Sequence, residues 1–463
     1  MQLREGDLNV LMALVVGTTA TRARHSETCL STVNGSVATC EYTPGAKSLV
    51  CSGGLNRKFS AGNFRVRALT LCFWPVSTFD PTMVLTLFPS LHEFTLTLSP
   101  VDRLEEDFPE TPRLKVVNMS GLSLSRLSDT AFSRLKNLNV LDLRFNNLTE
   151  IHLDMLPDHS SLHVYLTGNP WSCSRDWTWL ADDGGRTSSV ASRVVDRDKL
   201  TCQGQPYREK PIPLVMALVK SMQAECPRQP PFNCSCTLDN VVWDTSRLYL
   251  VPIITVDCSG LGLTELPGVL PSNTTSLLVK ENQISDLRPL VNNEHYRHVA
   301  DIFLDDNLVE SVAVLESSPW LFNFRVFSLR SNRLSQLPTY ALDNALERNR
   351  HVVDIFLGNN PWQCDCLFTP SFQDFLVKYF TLVKDNDNVR CAFVDGDENS
   401  FVPIRDLSRS SICAPPSEYI IQPLDLLNGV LASLIILVVG KLGYDYWNFK
   451  KTGKVPWIVT KMP

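Results

Sequence analysis

No five consecutive residues in this 463-residue chain are basic, and its charges nearly balance: 43 Lys and Arg against 49 Asp and Glu, a net of −6. A dedicated nucleic-acid surface would show as a basic run or a high isoelectric point, so no nucleic-acid partner is expected. Signatures of catalysis are missing too. There is no phosphate-cradling Gly-x-x-x-x-Gly-Lys-Ser/Thr and no Gly-x-Ser-x-Gly. His295 and His298 stand at i, i+3 without a third ligand, and Asp158-His159-Ser160 are adjacent in sequence, whereas a triad converges from separate segments. No enzymatic activity, metal or cofactor is therefore expected. Charged residues make up only 20% and apolar ones 44%, a balance that excludes a disordered chain and supplies real cores, two to four domains by length.

What the chain does have is fourteen cysteines, and their fate depends on compartment. Near the start, Arg4 precedes the apolar stretch Val10–Val16 and the small residues Gly17–Ala20, the order of a secretory signal, with Glu5 and Asp7 as unusual acids in it. Near the end, Leu426–Gly440 carries no charge. Extended through Tyr444, with Lys441 snorkelling, it reaches the roughly 30 Å of a bilayer core. Tyr444, Tyr446 and Trp447 would form the aromatic belt. Lys441, Lys450, Lys451 and Lys454 follow the span, while no Lys or Arg lies between Ser410 and Gly440, which puts the C-terminus in the cytoplasm. The expectation is a single-pass type I protein of the cell membrane with an extracellular N-terminal part and disulfide-bonded cysteines. Five glycosylation sequons agree with this: Asn34, Asn118, Asn147, Asn233 and Asn273.

Internal repetition decides the fold. Leu138-x-x-Leu141-x-Leu143-x-x-Asn146-x-Leu148 fits the leucine-rich repeat pattern at each position, and looser copies are centred on Leu69, Phe94, Val117 and Val164, a period of 23 to 25. A second array is centred on Leu277, Ile302, Phe327 and Ile355, followed by Asn282, Asn307, Asn332 and Asn360. Each copy should give one short parallel strand with alternate side chains in the core. The asparagine sits where the chain turns away and can satisfy backbone groups there. One repeat cannot bury its own apolar face, so the repeats must stack and the ends must be capped. The fold class is thus α/β: two leucine-rich repeat solenoids followed by one transmembrane helix.

After the two arrays come Asn169-Pro170-Trp171-Ser172-Cys173 and Asn360-Pro361-Trp362-Gln363-Cys364-Asp365-Cys366. At these residues the chain resembles the extracellular leucine-rich repeat family, whose C-terminal cap pairs its first cysteine with its third and its second with its fourth. The resemblance implies Cys364 with Cys391 and Cys366 with Cys413. The first array departs from it, because Arg175 occupies the second cysteine position; Cys173 with Cys202 is still implied. The stretch from Cys226 through Cys234-Ser235-Cys236 to Cys258 resembles the family's N-terminal cap, which implies Cys226 with Cys236 and Cys234 with Cys258. The pairing of Cys29, Cys40, Cys51 and Cys72 stays open. Cap, repeats, cap, repeats, cap and span is also the order in Toll-type receptors, but only sixteen residues follow Trp447, too few for a signalling domain. The chain also resembles an insect family built on this plan, most clearly at Pro231–Cys236 and through the second array to Cys413. It implies a developmental role, and the wider family analogy favours a receptor or co-receptor component, which with so short a tail would act through a partner; homophilic adhesion or a structural surface role, with possible homo-oligomers, is the alternative.

These readings divide the chain into a signal at 1–23, a cysteine region at 24–65, first repeats at 66–171 and their C-terminal cap at 172–225. A cap at 226–267, second repeats at 268–362 and a cap at 363–413 follow, then a juxtamembrane stretch 414–424, a span 425–446 and a tail 447–463. Strand residues between core positions should face the concave surface. In the second array one column reads Leu278, Phe303, Ser328, Phe356 and the next Lys280, Asp305, Arg330, Gly358. Exposed rings amid mixed charge have the composition of an interface centre, so Lys280, Phe303, Asp305, Arg330 and Phe356 are the candidate contacts for a protein ligand or co-receptor. The first array's columns, Thr70, Thr95, Asn118, Asp142, Tyr165 and Cys72, Thr97, Ser120, Arg144, Thr167, are more polar and include a sequon.

Overall fold

The computed structural model describes residues 29, 38–55, 65–181, 191–244, 249–316, 318–413 and 423–453. The signal segment, the Asn34 sequon, nearly all of the juxtamembrane stretch and the end of the tail lie outside these. Fifteen strands are described: β1 (Thr39–Thr43), β2 (Ser48–Ser52), β3 (Ala68–Cys72), β4 (Thr78–Phe79), β5 (Glu93–Thr97), β6 (Arg103–Leu104), β7 (Val116–Asn118), β8 (Val140–Asp142), β9 (His163–Tyr165), β10 (Ser235–Asp244), β11 (Tyr249–Asp257), β12 (Thr274–Leu278), β13 (Asp301–Phe303), β14 (Val326–Ser328) and β15 (Asp354–Phe356). They form one sheet in the order β1-β2-β3-β5-β7-β8-β9, a second in the order β10 to β15, and the small pair β4-β6. Each large sheet opens with an antiparallel pair, β1 with β2 and β10 with β11, and continues in parallel. The antiparallel strand belongs to the cap and covers the edge that the first repeat would otherwise leave open.

The repeat period fixes the register. Leu69, Phe94, Val117, Leu141 and Val164 are direct neighbours across five strands, as are Leu277, Ile302, Phe327 and Ile355 across four. All nine are buried. Burying a side chain of this size contributes about 1.5–3 kcal/mol, so the two columns are a main source of stability. The core of the first array is filled by a file of rings, Phe79, Phe94, Phe108 and Phe132, with successive centroids 5.4, 6.3 and 5.1 Å apart. Trp320, Phe324 and Phe327 play that part in the second.

The caps close the open ends. Trp171 and Trp177 are fully buried below β9, and Trp362 packs on Phe372 of the helix Thr369–Lys378 below β15. Cys173 is bonded to Cys202, Cys364 to Cys391 and Cys366 to Cys413. Arg175, at the position of the missing cysteine, lies exposed with its Nε 3.0 Å from Glu150. Cys226 is bonded to Cys236 on β10, and Cys234 to Cys258. The helix Ile212–Glu225 of the first array's cap thus runs directly into the N-terminal cap of the second. Glu225 accepts the Ser272 N–H at 2.6 Å and Tyr207 donates to the Leu238 carbonyl, so the junction is tied on both sides. The four cysteines left open by the sequence pair as Cys29 with Cys72 and Cys40 with Cys51.

The helix Pro423–Thr452 has 30 residues and is long and apolar enough to cross a membrane. It extends beyond the span read from sequence at both ends. Lys441 Nζ lies 2.6 Å from Asp445 Oδ1 one turn on, a pairing the snorkelling argument did not include.

Candidate functional site

The concave face of the second sheet gathers the candidate contacts, and neighbouring repeats arrange them in pairs. Lys280 Nζ lies 4.8 Å from the centroid of the Phe303 ring and 3.8 Å from Asp305 Oδ2. The Arg330 guanidinium carbon lies 3.9 Å from the centroid of Phe356, and Arg330 Nε donates to Asp385 Oδ2 at 3.1 Å. The rings are therefore half-buried under cations rather than exposed, which corrects the sequence reading. A cation attracted to a ring face and held by a carboxylate has little reason to leave it. Asp305 needs a further correction. It is 8% exposed, and it accepts from the Ser328 hydroxyl and from the Arg330 N–H at 3.2 Å. It orders the neighbouring rung and offers a partner little surface. The surface presented is thus Lys280 and Arg330, with the edges of two rings beside them.

Asp385 was invisible to the column argument because it lies in the cap. It accepts the Leu357 N–H at 2.9 Å and the Gly358 N–H at 2.8 Å, which ends the sheet where no further strand follows. Gly358 makes this approach possible, since a Cβ there would stand 2.8 Å from Asp385 Oδ2 and from Asn388 Cβ. In the first array Asp196 does the same for Leu166 and Thr167, at 3.0 and 2.8 Å. A signal existed: each aspartate stands six residues before a cap cysteine, Cys202 or Cys391. The first array also repeats the cation-over-ring arrangement. Arg144 lies 5.0 Å from the centroid of Tyr165 and makes an ion pair with Asp142, whose hydrogen bond holds the guanidinium pKa above its usual value. The two concave faces are more alike than their compositions suggest.

Asn118 is half-buried in β7, and its Oδ1 accepts from the N–H and hydroxyl of Ser120, its own sequon serine, at 3.0 and 2.8 Å. Thr95 and Asp142 flank it on the adjacent strands, so it occupies the middle of the first concave face. Asn147, Asn233 and Asn273 are exposed and lie outside the strands. Among the described residues no group of His, Cys, Asp and Glu is placed to hold a metal ion. His295 lies in the turn Glu294–Tyr296 with its Nδ1 3.0 Å from the Leu270 carbonyl oxygen, a returning-side position remote from the concave face.

Residues 424–461 match the Halfway C-terminal domain, and residues 112–170 match the leucine-rich repeat family. Protein singed wings 2 of Drosophila melanogaster is 39% identical over 428 residues, covering 90% of this chain and 84% of that protein. Protein halfway of Drosophila pseudoobscura pseudoobscura is 28% identical over 419 residues, which is 87% of this chain but 64% of that protein, so the chain spans under two thirds of halfway's length. Protein toll of Drosophila melanogaster is 24% identical over 364 residues, 71% of this chain and 30% of that protein. On the strength of the alignment to singed wings 2, the chain belongs to the singed wings 2 and halfway family of leucine-rich repeat surface proteins.

Proposed function

We propose that the chain is a type I cell-surface recognition protein, a developmental receptor or co-receptor component that binds a protein ligand through the concave face of its second array. The observation that carries this reading is the pair of cation-covered rings, Lys280 on Phe303 and Arg330 on Phe356, two repeats apart on one face. Their charges are half-exposed and their rings are already ordered, so a partner carrying carboxylates binds without having to fix them. The second sheet carries no sequon on its strands, whereas a glycan on Asn118 would fill the first concave face with hydrated sugar. Phe303→Ala together with Phe356→Ala is expected to weaken partner binding by more than about 1 kcal/mol, roughly fivefold in Kd, while secretion stays normal. Asn118→Gln should leave binding unchanged. Affinity capture with the wild-type chain as bait, followed by titration of the captured protein against each variant, checks both. Normal binding by the double Phe variant overturns the choice of face, and self-association with no other partner favours adhesion.

Membrane attachment rests on the helix Pro423–Thr452, whose 30 residues reach about 45 Å at 1.5 Å each. A chain ending at Pro423 is expected in the medium, and one ending at Lys451 is expected to resist an alkaline wash of the membranes. Retention of the shorter chain would show a different anchor.

A further inference from the structure

The edge at which the strands of the first array begin carries a line of positive charge that no stretch of sequence shows. Backbone hydrogen bonds place four residues on consecutive rungs: Arg67 N–H donates to Lys47 at 2.8 Å, His92 to Arg67 at 2.7 Å, and Lys115 to His92 at 2.8 Å. These residues are 20, 25 and 23 positions apart in sequence. Neighbouring strands are about 4.8 Å apart, so the line from Lys47 to Lys115 is about 14 Å long. Arg65 and Arg113 stand two residues before Arg67 and Lys115 and widen it to a strip; Arg113 reaches across to the Ser90 hydroxyl at 3.3 Å. Arg65, Arg67, Arg113 and Lys115 are exposed, and none of the five Lys and Arg residues makes an ion pair among the described residues. Glu93, one position beyond His92, is an acid beside the strip, and it too makes no ion pair among the described residues.

Lys47 and Arg67 stand on adjacent rungs and Arg67 and Lys115 two rungs apart, and like charges this close repel, so the arrangement costs stability unless something answers it. It also runs against a chain whose net charge is −6. The second array shows that the solenoid does not require it. The same rungs there read Thr275, Ala300, Arg325 and Val353, joined by bonds of 2.8, 2.7 and 2.8 Å. Arg325, the one cation, is neutralised by Asp301, which accepts from its Nε at 2.8 Å and holds its pKa up. We infer that the strand-entry edge of the first array binds a linear sulfated polysaccharide, laid across the repeats so that its sulfates meet Lys47, Arg67 and Lys115 in turn. A linear polyanion suits a straight strip one or two cations wide. Seven disulfides place the domain in an oxidising compartment, where sulfated polysaccharides are the abundant linear polyanions. Asn118 lies three residues along from Lys115 on the concave side, so a glycan there leaves the edge open.

The test uses the full chain in mild detergent on immobilised heparin. The wild type is expected to be retained at about physiological salt, with affinity falling steeply as salt rises through counterion release. Arg67→Gln with Lys115→Gln should raise Kd about tenfold and flatten the salt dependence. Arg297→Gln with Arg350→Gln, an equal charge change on exposed residues of the second array, should change Kd less than twofold. Arg65→Gln with Arg113→Gln probes the strip independently should the first pair fold poorly, and Arg67→Lys should keep binding. Wild type that flows through at low salt, or equal losses in the two double variants, overturns the inference. Retention that is as tight on desulfated heparin or polyglutamate as on heparin overturns the assignment to a sulfated saccharide.

Discussion

Asn307→Leu should destabilise the chain by about 2–4 kcal/mol although no charge is lost and the branching of the side chain is kept, because the Asn307 amide is a rung of a ladder that joins repeats. Its Oδ1 accepts the Ile284 N–H of the preceding repeat at 2.9 Å, and its Nδ2 donates to Val279 at 2.8 Å and Leu304 at 3.1 Å. The residue is 4% exposed, so water cannot replace these bonds. The Val279 carbonyl keeps Asn282 at 3.0 Å and the Leu304 carbonyl keeps Asn332 at 2.8 Å, but the Ile284 N–H keeps nothing. A buried donor left unpaired costs about 1–3 kcal/mol, and the weakened carbonyls add to it. Glu310→Ala on the exposed surface should stay within about 0.5 kcal/mol. Thermal unfolding of the two variants side by side decides the point. A shift for Asn307→Leu no larger than for Glu310→Ala would mean that the ladder is dispensable.

Cys226→Ser is expected to cost about 2–5 kcal/mol, the usual scale for a native disulfide, and to lower the midpoint of thermal unfolding by about 5–15 °C. Position alone places Cys226 at the end of an incomplete cap. Its bond to Cys236 instead fastens the end of the helix Ile212–Glu225 to β10, so its loss loosens the junction of the two arrays and leaves a reactive thiol. Cys202→Ser should act locally on the first array's cap. Hydrogen exchange would show this difference, with protection lost across β10 and β11 only in the Cys226 variant. Peptide mapping without reduction supplies the check on connectivity: a bridge from Cys226 to Cys173 or Cys202 would contradict the assignment.

The sequence by itself determined the solenoids, because each repeat's buried positions are spaced along its own strand. Leu138, Leu141, Leu143 and Asn146 must each point inward whatever lies next to them. It also carried the apolar helix near the C-terminus, which depends on a single continuous stretch. Other features arose only when the repeats stacked. Lys280 covers Phe303, Arg330 covers Phe356, and Asp385 ends the sheet, each across neighbouring turns of the solenoid 23 to 28 residues apart. The basic strip from Lys47 to Lys115 has the same origin, which is why the absence of a basic run was a poor guide to local charge. Parallel strands bring residues one period apart to within about 4.8 Å. At that distance, which charges meet, which rings are covered and which acids are already engaged follow from side-chain reach across the rung. The periodic pattern of apolar residues carries no record of that reach.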